Sequence, residues 1–108
     1  MGWQRIEGAE SLAPGEKRAF VVDGREVLVC RLGAAFFALS NRCTHAAWPL
    51  AGEPLDGNEI VCTLHGARFD VRDGTPTGGP ARKPLATFDA ELRQGALYVN
   101  LPTRPTTP

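Results

Sequence analysis

Apolar residues in this chain fall in short alternating runs separated by turn formers. "RAFVV" and "REVLVCRL" flank Asp23-Gly24, a two-residue link that favours a type I′ hairpin because both turn positions need positive φ. "AAFFALS" follows Gly33, and "NEIVCTL", "ARFDVRD", "ATFDAEL" and "ALYVNL" come later, mostly bounded by Gly, Pro, Asp or Asn. In "EVLVCRL" the alternation puts Leu28, Cys30 and Leu32 on one face, so Cys30 is expected to pack in the core as a small hydrophobe. No segment keeps a helical period over a dozen residues, and the best candidate, "GAESLAPGE", is cut short by Pro14 and Gly15. An all-β fold with many turns is predicted. Residues 71–84, "VRDGTPTGGPARKP", hold Gly74, Pro76, Gly78, Gly79 and Pro80 and are expected to form a loop. The Pro/Thr-rich ending 102–108 is expected to be a flexible tail.

Composition narrows the class. A chain of 108 residues fits one domain. Its 43% hydrophobic and 22% charged residues are close to globular averages and argue against disorder or a fibrous repeat. Twelve basic and twelve acidic residues cancel without forming runs, which argues against a nucleic-acid partner. The longest apolar stretches, such as "AAFFAL", fall far short of the ~20 residues that cross a bilayer. The opening "MGWQRIEGAE" lacks the apolar centre of a signal peptide, and Ile6 breaks the myristoylation pattern, so a cytoplasmic location is expected. Three cysteines suit a ligand or core role better than a disulfide framework.

The chemistry concentrates in two places. "NRCTHAAWPL" contains Cys43 and His45, and "VCTLHGARF" contains Cys62 and His65; sixteen residues separate His45 from Cys62, and these are the chain's only two histidines. Each pair falls on a strand-to-strand connection, so two loops can meet over a shared centre. Thiolate and imidazole are good ligands for soft and borderline metals. A common zinc finger groups its cysteines on one side and its histidines on the other, whereas here each loop supplies one of each. The one-residue gap in Cys43-Thr44-His45 is tight for a single ion, because i and i+2 in extended chain lie roughly 6.5–7 Å apart at Cα. Ligands so spaced could reach two neighbouring metals; zinc in the same four residues remains open on these grounds.

"CTH" and "CTLHG", with "DGTPTGGPARKPL" further on, resemble the motifs of Rieske [2Fe–2S] proteins, most of all the small ferredoxins of bacterial aromatic-ring dioxygenase systems. The matching part runs from about Asn41 to Leu85. The resemblance implies a Rieske fold, a small antiparallel β-sandwich or barrel spanning 1–108 as one domain, with a cluster-binding part at about 41–85 built from two ligand loops and a proline loop. It implies that Cys43 and Cys62 hold the inner iron and His45 and His65 the outer one. Gly66 would let the chain turn close to the cluster, and Pro76, Gly78, Gly79 and Pro80 would shield it from water. Two thiolates cancel the formal charge of the oxidised iron–sulfide core, and neutral imidazoles complete it, so reduction is easier than for a four-cysteine cluster.

The high-potential members of that family carry an extra cysteine in each loop, joined as a disulfide, at places matching Trp48 and Leu64. They also carry a serine and a tyrosine whose hydroxyls donate to sulfur, at places matching Ala67 and Phe69. Without those donors the potential is expected at the low end of the Rieske range, about −150 mV. The expected role is a soluble one-electron carrier from a flavin-dependent NAD(P)H reductase to a terminal ring-hydroxylating oxygenase. It is not expected to be the oxygenase, because a two-histidine, one-carboxylate iron site needs histidines already used by the cluster. Alternatives are a Rieske-like small subunit of an assimilatory nitrite reductase and a zinc-stabilised binding module. Trp48 is either a lid over the cluster's apolar surround or a docking residue, and for Arg42, Arg68, Arg82 and Lys83, which flank the loops, either partner docking or plain solvation accounts for the charge. "GTPTGG" lacks the Gly-Lys-Ser/Thr ending of a phosphate loop.

Overall fold

The computed structural model describes residues 2–43, 49–63, 66–79 and 83–101. His45, Trp48, Leu64, His65, Pro80, Arg82 and the tail 102–108 lie outside the described residues. The strands are β1 Gly2–Arg5, β2 Lys17–Val22, β3 Arg25–Leu32, β4 Ala35–Ser40, β5 Leu55–Asp56, β6 Glu59–Cys62, β7 Ala67–Asp70, β8 Pro76–Gly78, β9 Thr87–Phe88, β10 Ala90–Arg93 and β11 Ala96–Leu101. They pair antiparallel in three sheets, ordered β1-β11-β10, β2-β3-β4-β9 and β5-β6-β7-β8. The helix candidate shrinks to one 3-10 turn, Ala9–Ser11. No helix among the described residues is long and apolar enough to cross a membrane.

Strand β3 explains how the sheets stack. Its side chains alternate between two cores: Val27 and Val29 join Ile6, Leu12, Leu97 and Val99, while Leu28 and Cys30 join Leu39, Ile60, Phe69 and Leu85. The central sheet is therefore buried on both faces, by β11 and the 3-10 turn on one and by the β5–β8 sheet on the other. Each fully buried aliphatic or aromatic side chain contributes roughly 1.5–3 kcal/mol, so the third sheet is anchored by its own apolar face.

The turns follow backbone chemistry. Asp23 and Gly24 have φ of 53° and 76° between the paired Val22 and Arg25, as a type I′ hairpin requires. Gln94 and Gly95, at 51° and 81°, repeat the device between β10 and β11.

Two expectations need correction. The stretch 71–84 is not all loop, because Pro76–Gly78 pairs with β7 at the sheet's edge. A register shift, with Phe69 opposite Pro76 and Arg68 opposite Gly78, leaves Thr77 as the extra residue. An edge strand with a bulge is where a sheet tolerates proline and glycine. The run "ATFDAEL" is not one strand either: β9 joins β4, β10 joins β11, and the chain changes sheet at Asp89, whose carbonyl accepts the Asn100 amide at 2.8 Å.

Candidate metal centre

Each loop is closed at its base by backbone bonds. Ser40, the last residue of β4, donates its amide to the Ala86 carbonyl at 2.9 Å, and the Leu50 amide donates to the Asn41 carbonyl at 2.8 Å. Arg42 and Pro49 form an isolated antiparallel bridge, so Cys43 opens a loop whose two ends are held together. The second loop caps the β6–β7 hairpin. Cys62 and Ala67 are its last pair, and the Gly66 amide returns to the Cys62 carbonyl at 2.9 Å with Gly66 at φ 77°. A third segment is closed by the Leu85 amide on the Gly74 carbonyl at 2.8 Å.

Cys43 and Cys62 are 1% and 0% exposed and share one buried cluster with Leu50, Ala67, Phe69 and Leu85. Neither is in a disulfide, nor is Cys30. Cys30 borders the same core but sits in mid-strand, opposite Lys17 and Phe37. Burial pushes its thiol up to about 12, against a smaller opposing pull from Lys17. A thiol held protonated in this way is a packing group, not a ligand. Two buried cysteines in one cluster, neither in a disulfide, are a donor set that suits an iron–sulfur group, and the histidines that would complete it lie outside the described residues.

The third segment meets the second loop at Gly79. A Cβ there would collide with the Gly66 carbonyl oxygen and lie 2.7 Å from the Ala67 Cα, and Gly79 has φ 75°. Only glycine gives this backbone-to-backbone approach at that φ. Ala67 and Phe69 are both fully buried and bring no hydroxyl to the site.

Two buried polar residues were not singled out from the sequence. Glu53, 8% exposed, accepts on Oε1 both the amide and the hydroxyl of Thr63, at 2.9 and 2.6 Å. Asn41 donates Nδ2 to Glu26 at 3.2 Å, while its buried Oδ1 has no hydrogen-bond partner among the described residues. No local signal distinguishes Glu53, in "AGEPLDG", from an ordinary loop charge. Arg68 is not a free docking charge: it bonds Asp56 at 2.6 Å and Glu59 at 3.0 Å and ties β5, β6 and β7 together. Arg42 lies 3.6 Å from Glu26 on the surface.

An all-β domain with two buried thiols at the mouths of paired loops, and a third loop closing on one of them, defines the class of small proteins that enclose a metal group between hairpins. The family model described as "Rieske [2Fe-2S] domain" matches residues 2–89, and the chain belongs to that family. The group it carries is a Rieske-type [2Fe–2S] cluster. The chain is 38% identical over 107 residues to the ferredoxin component of biphenyl 2,3-dioxygenase from Rhodococcus jostii (strain RHA1), covering 99% of this chain and all of the relative. It is 35% identical over 98 residues to ferredoxin CarAc of Metapseudomonas resinovorans, covering 90% and 92% of the two chains. Among solved structures, the ferredoxin of carbazole 1,9a-dioxygenase from Nocardioides aromaticivorans IC177 superposes with a TM-score of 0.84 at 38% identity, over 92% of this chain and 97% of that one. Within its family the chain is thus of the ferredoxin kind, an electron-transfer component and not an enzyme.

Proposed function

We propose that Cys43 and Cys62 bind the inner iron and His45 and His65 the outer iron, and that the chain delivers single electrons to a terminal aromatic-ring-hydroxylating oxygenase from a flavin-dependent NAD(P)H reductase. When bound, the cluster supplies a one-electron redox couple. The residues of the chain would bind it and exclude water from it, and His45 and His65 would pass the electron on. Closure of both loop bases fixes where Cys43 and Cys62 stand, and the Gly79 contact brings the third segment against the second loop. The observation that carries the partner is the likeness, at 34% identity and a TM-score of 0.84, to a chain of the solved complex of reduced oxygenase and oxidised ferredoxin in carbazole 1,9a-dioxygenase. The lack of hydroxyl donors at Ala67 and Phe69 supports a potential near the low end of the Rieske range, about −150 mV. The chain works as one domain over 1–108, with its cluster-binding part at about 41–85, in the cytoplasm.

The test is a reconstituted system of reductase, this protein and a ring-hydroxylating oxygenase. Substrate hydroxylation that requires this protein is expected. Hydroxylation at the same rate without it would contradict the role.

A further inference from the structure

Thr63 directly follows Cys62, the last residue of β6. Its amide and hydroxyl both donate to one oxygen of Glu53, at 2.9 and 2.6 Å. Glu53 comes from the segment that follows the first loop. Its amide is bonded to the Leu50 carbonyl at 3.0 Å, and the carbonyl of the next residue, Pro54, receives the Val61 amide at 3.0 Å. The carboxylate therefore bridges the return of the first loop to the start of the second while almost wholly buried.

From this geometry we infer that Glu53 is a positioning residue that keeps the reduction potential low. It places a carboxylate in a nearly buried position, bonded to the residue that follows Cys62, where adding an electron nearby is disfavoured. The inference rests on Cys62 being an iron ligand.

The experiment is a redox titration of the cluster-loaded protein, followed by visible absorption and circular dichroism, for the unsubstituted chain, Glu53→Gln, Glu53→Asp and Thr63→Val. Glu53→Gln is expected to shift the potential upward, because the charge goes while an acceptor for Thr63 remains. Glu53→Asp, which keeps the charge, is expected to return most of the way to the original value. Thr63→Val is expected to leave the potential unchanged or lower, since the carboxylate stays and loses a donor. Equal upward shifts for Gln and Asp, no shift for Gln in a fully loaded protein, or an upward shift for Thr63→Val would each overturn the inference. If Glu53→Gln does not retain its cluster, Glu53→Ser takes its place as the neutral variant, with the same upward shift expected and no shift overturning the inference. Iron and sulfide content of the unsubstituted protein separates the two levels: an absent cluster removes the ligand assignment, whereas an intact cluster with an insensitive potential removes only the role of Glu53.

Discussion

Replacing Gly79 by alanine tests how the third segment closes on the second loop. The new Cβ would collide with the Gly66 carbonyl oxygen and lie 2.7 Å from the Ala67 Cα and the Gly66 carbonyl carbon, against an ordinary contact of 3.4–4 Å, so the two backbones must part by about 0.7 Å or more. Neither neighbour is a flexible side-chain end. Two costs add. Holding alanine at φ 75° costs about 1–2 kcal/mol, and forcing extra volume into a packed contact costs about 1–3 kcal/mol. The stiffer unfolded chain returns about 0.4–1 kcal/mol. A net loss on the order of 2–4 kcal/mol is expected. Gly95→Ala is the control: it shares the positive φ, at 81°, but has nothing within 4 Å, so it should lose only about 1 kcal/mol. Stability is read by urea unfolding under far-ultraviolet circular dichroism, and shielding by the rate of visible bleaching in air. Gly79→Ala should be the less stable variant and should bleach faster than both Gly95→Ala and the unsubstituted protein. Equal stability and equal bleaching of the two variants would refute the close approach.

Cys30 gives a pH signature. Its folded thiol is raised from the ordinary 9.0 to about 12 by burial, so the unfolded chain ionises first and stability falls as pH rises through the window between those values, by up to ~1.4 kcal/mol per unit. Cys30→Ala should lack that component of the slope in urea titrations from pH 8 to 11, and an unchanged slope would contradict the assignment. Ala67→Ser places a hydroxyl at a fully buried position beside the second loop and should raise the reduction potential. A crystal structure showing that hydroxyl bonded to sulfur with no shift in potential would refute the tuning argument.

Much of this molecule can be read from local pattern. The alternation in "REVLVCRL" correctly places Cys30 with Leu28 in the core, because one side chain in two must face each layer. Asp23-Gly24 gives its hairpin because few residue pairs accept positive φ twice. Cys43 lies on the connection after β4 and Cys62 closes β6 at the edge of the next connection, close to where the turn signals put them, and the fold buries both in a common cluster. What escapes is non-local. Strand β1 and the two-residue β5 exist only through their partners. The change of sheet at Asp89 interrupts a run that is continuous in sequence, and Pro76–Gly78 becomes a strand because β7 offers an edge that accepts a bulge. Glu53 is the sharpest case: its importance lies in Thr63, ten residues away, and in a burial that no neighbouring residue announces.

The ligand assignment is tested most directly by pulsed electron paramagnetic resonance of the dithionite-reduced protein, with iron and sulfide analysis of the same sample. Two irons and two sulfides per chain are expected, with coupling of the unpaired electron to two imidazole nitrogens and loss of that signature in His45→Ala and in His65→Ala. Zinc in place of iron with no reducible chromophore, or an imidazole coupling that survives both substitutions, would contradict it.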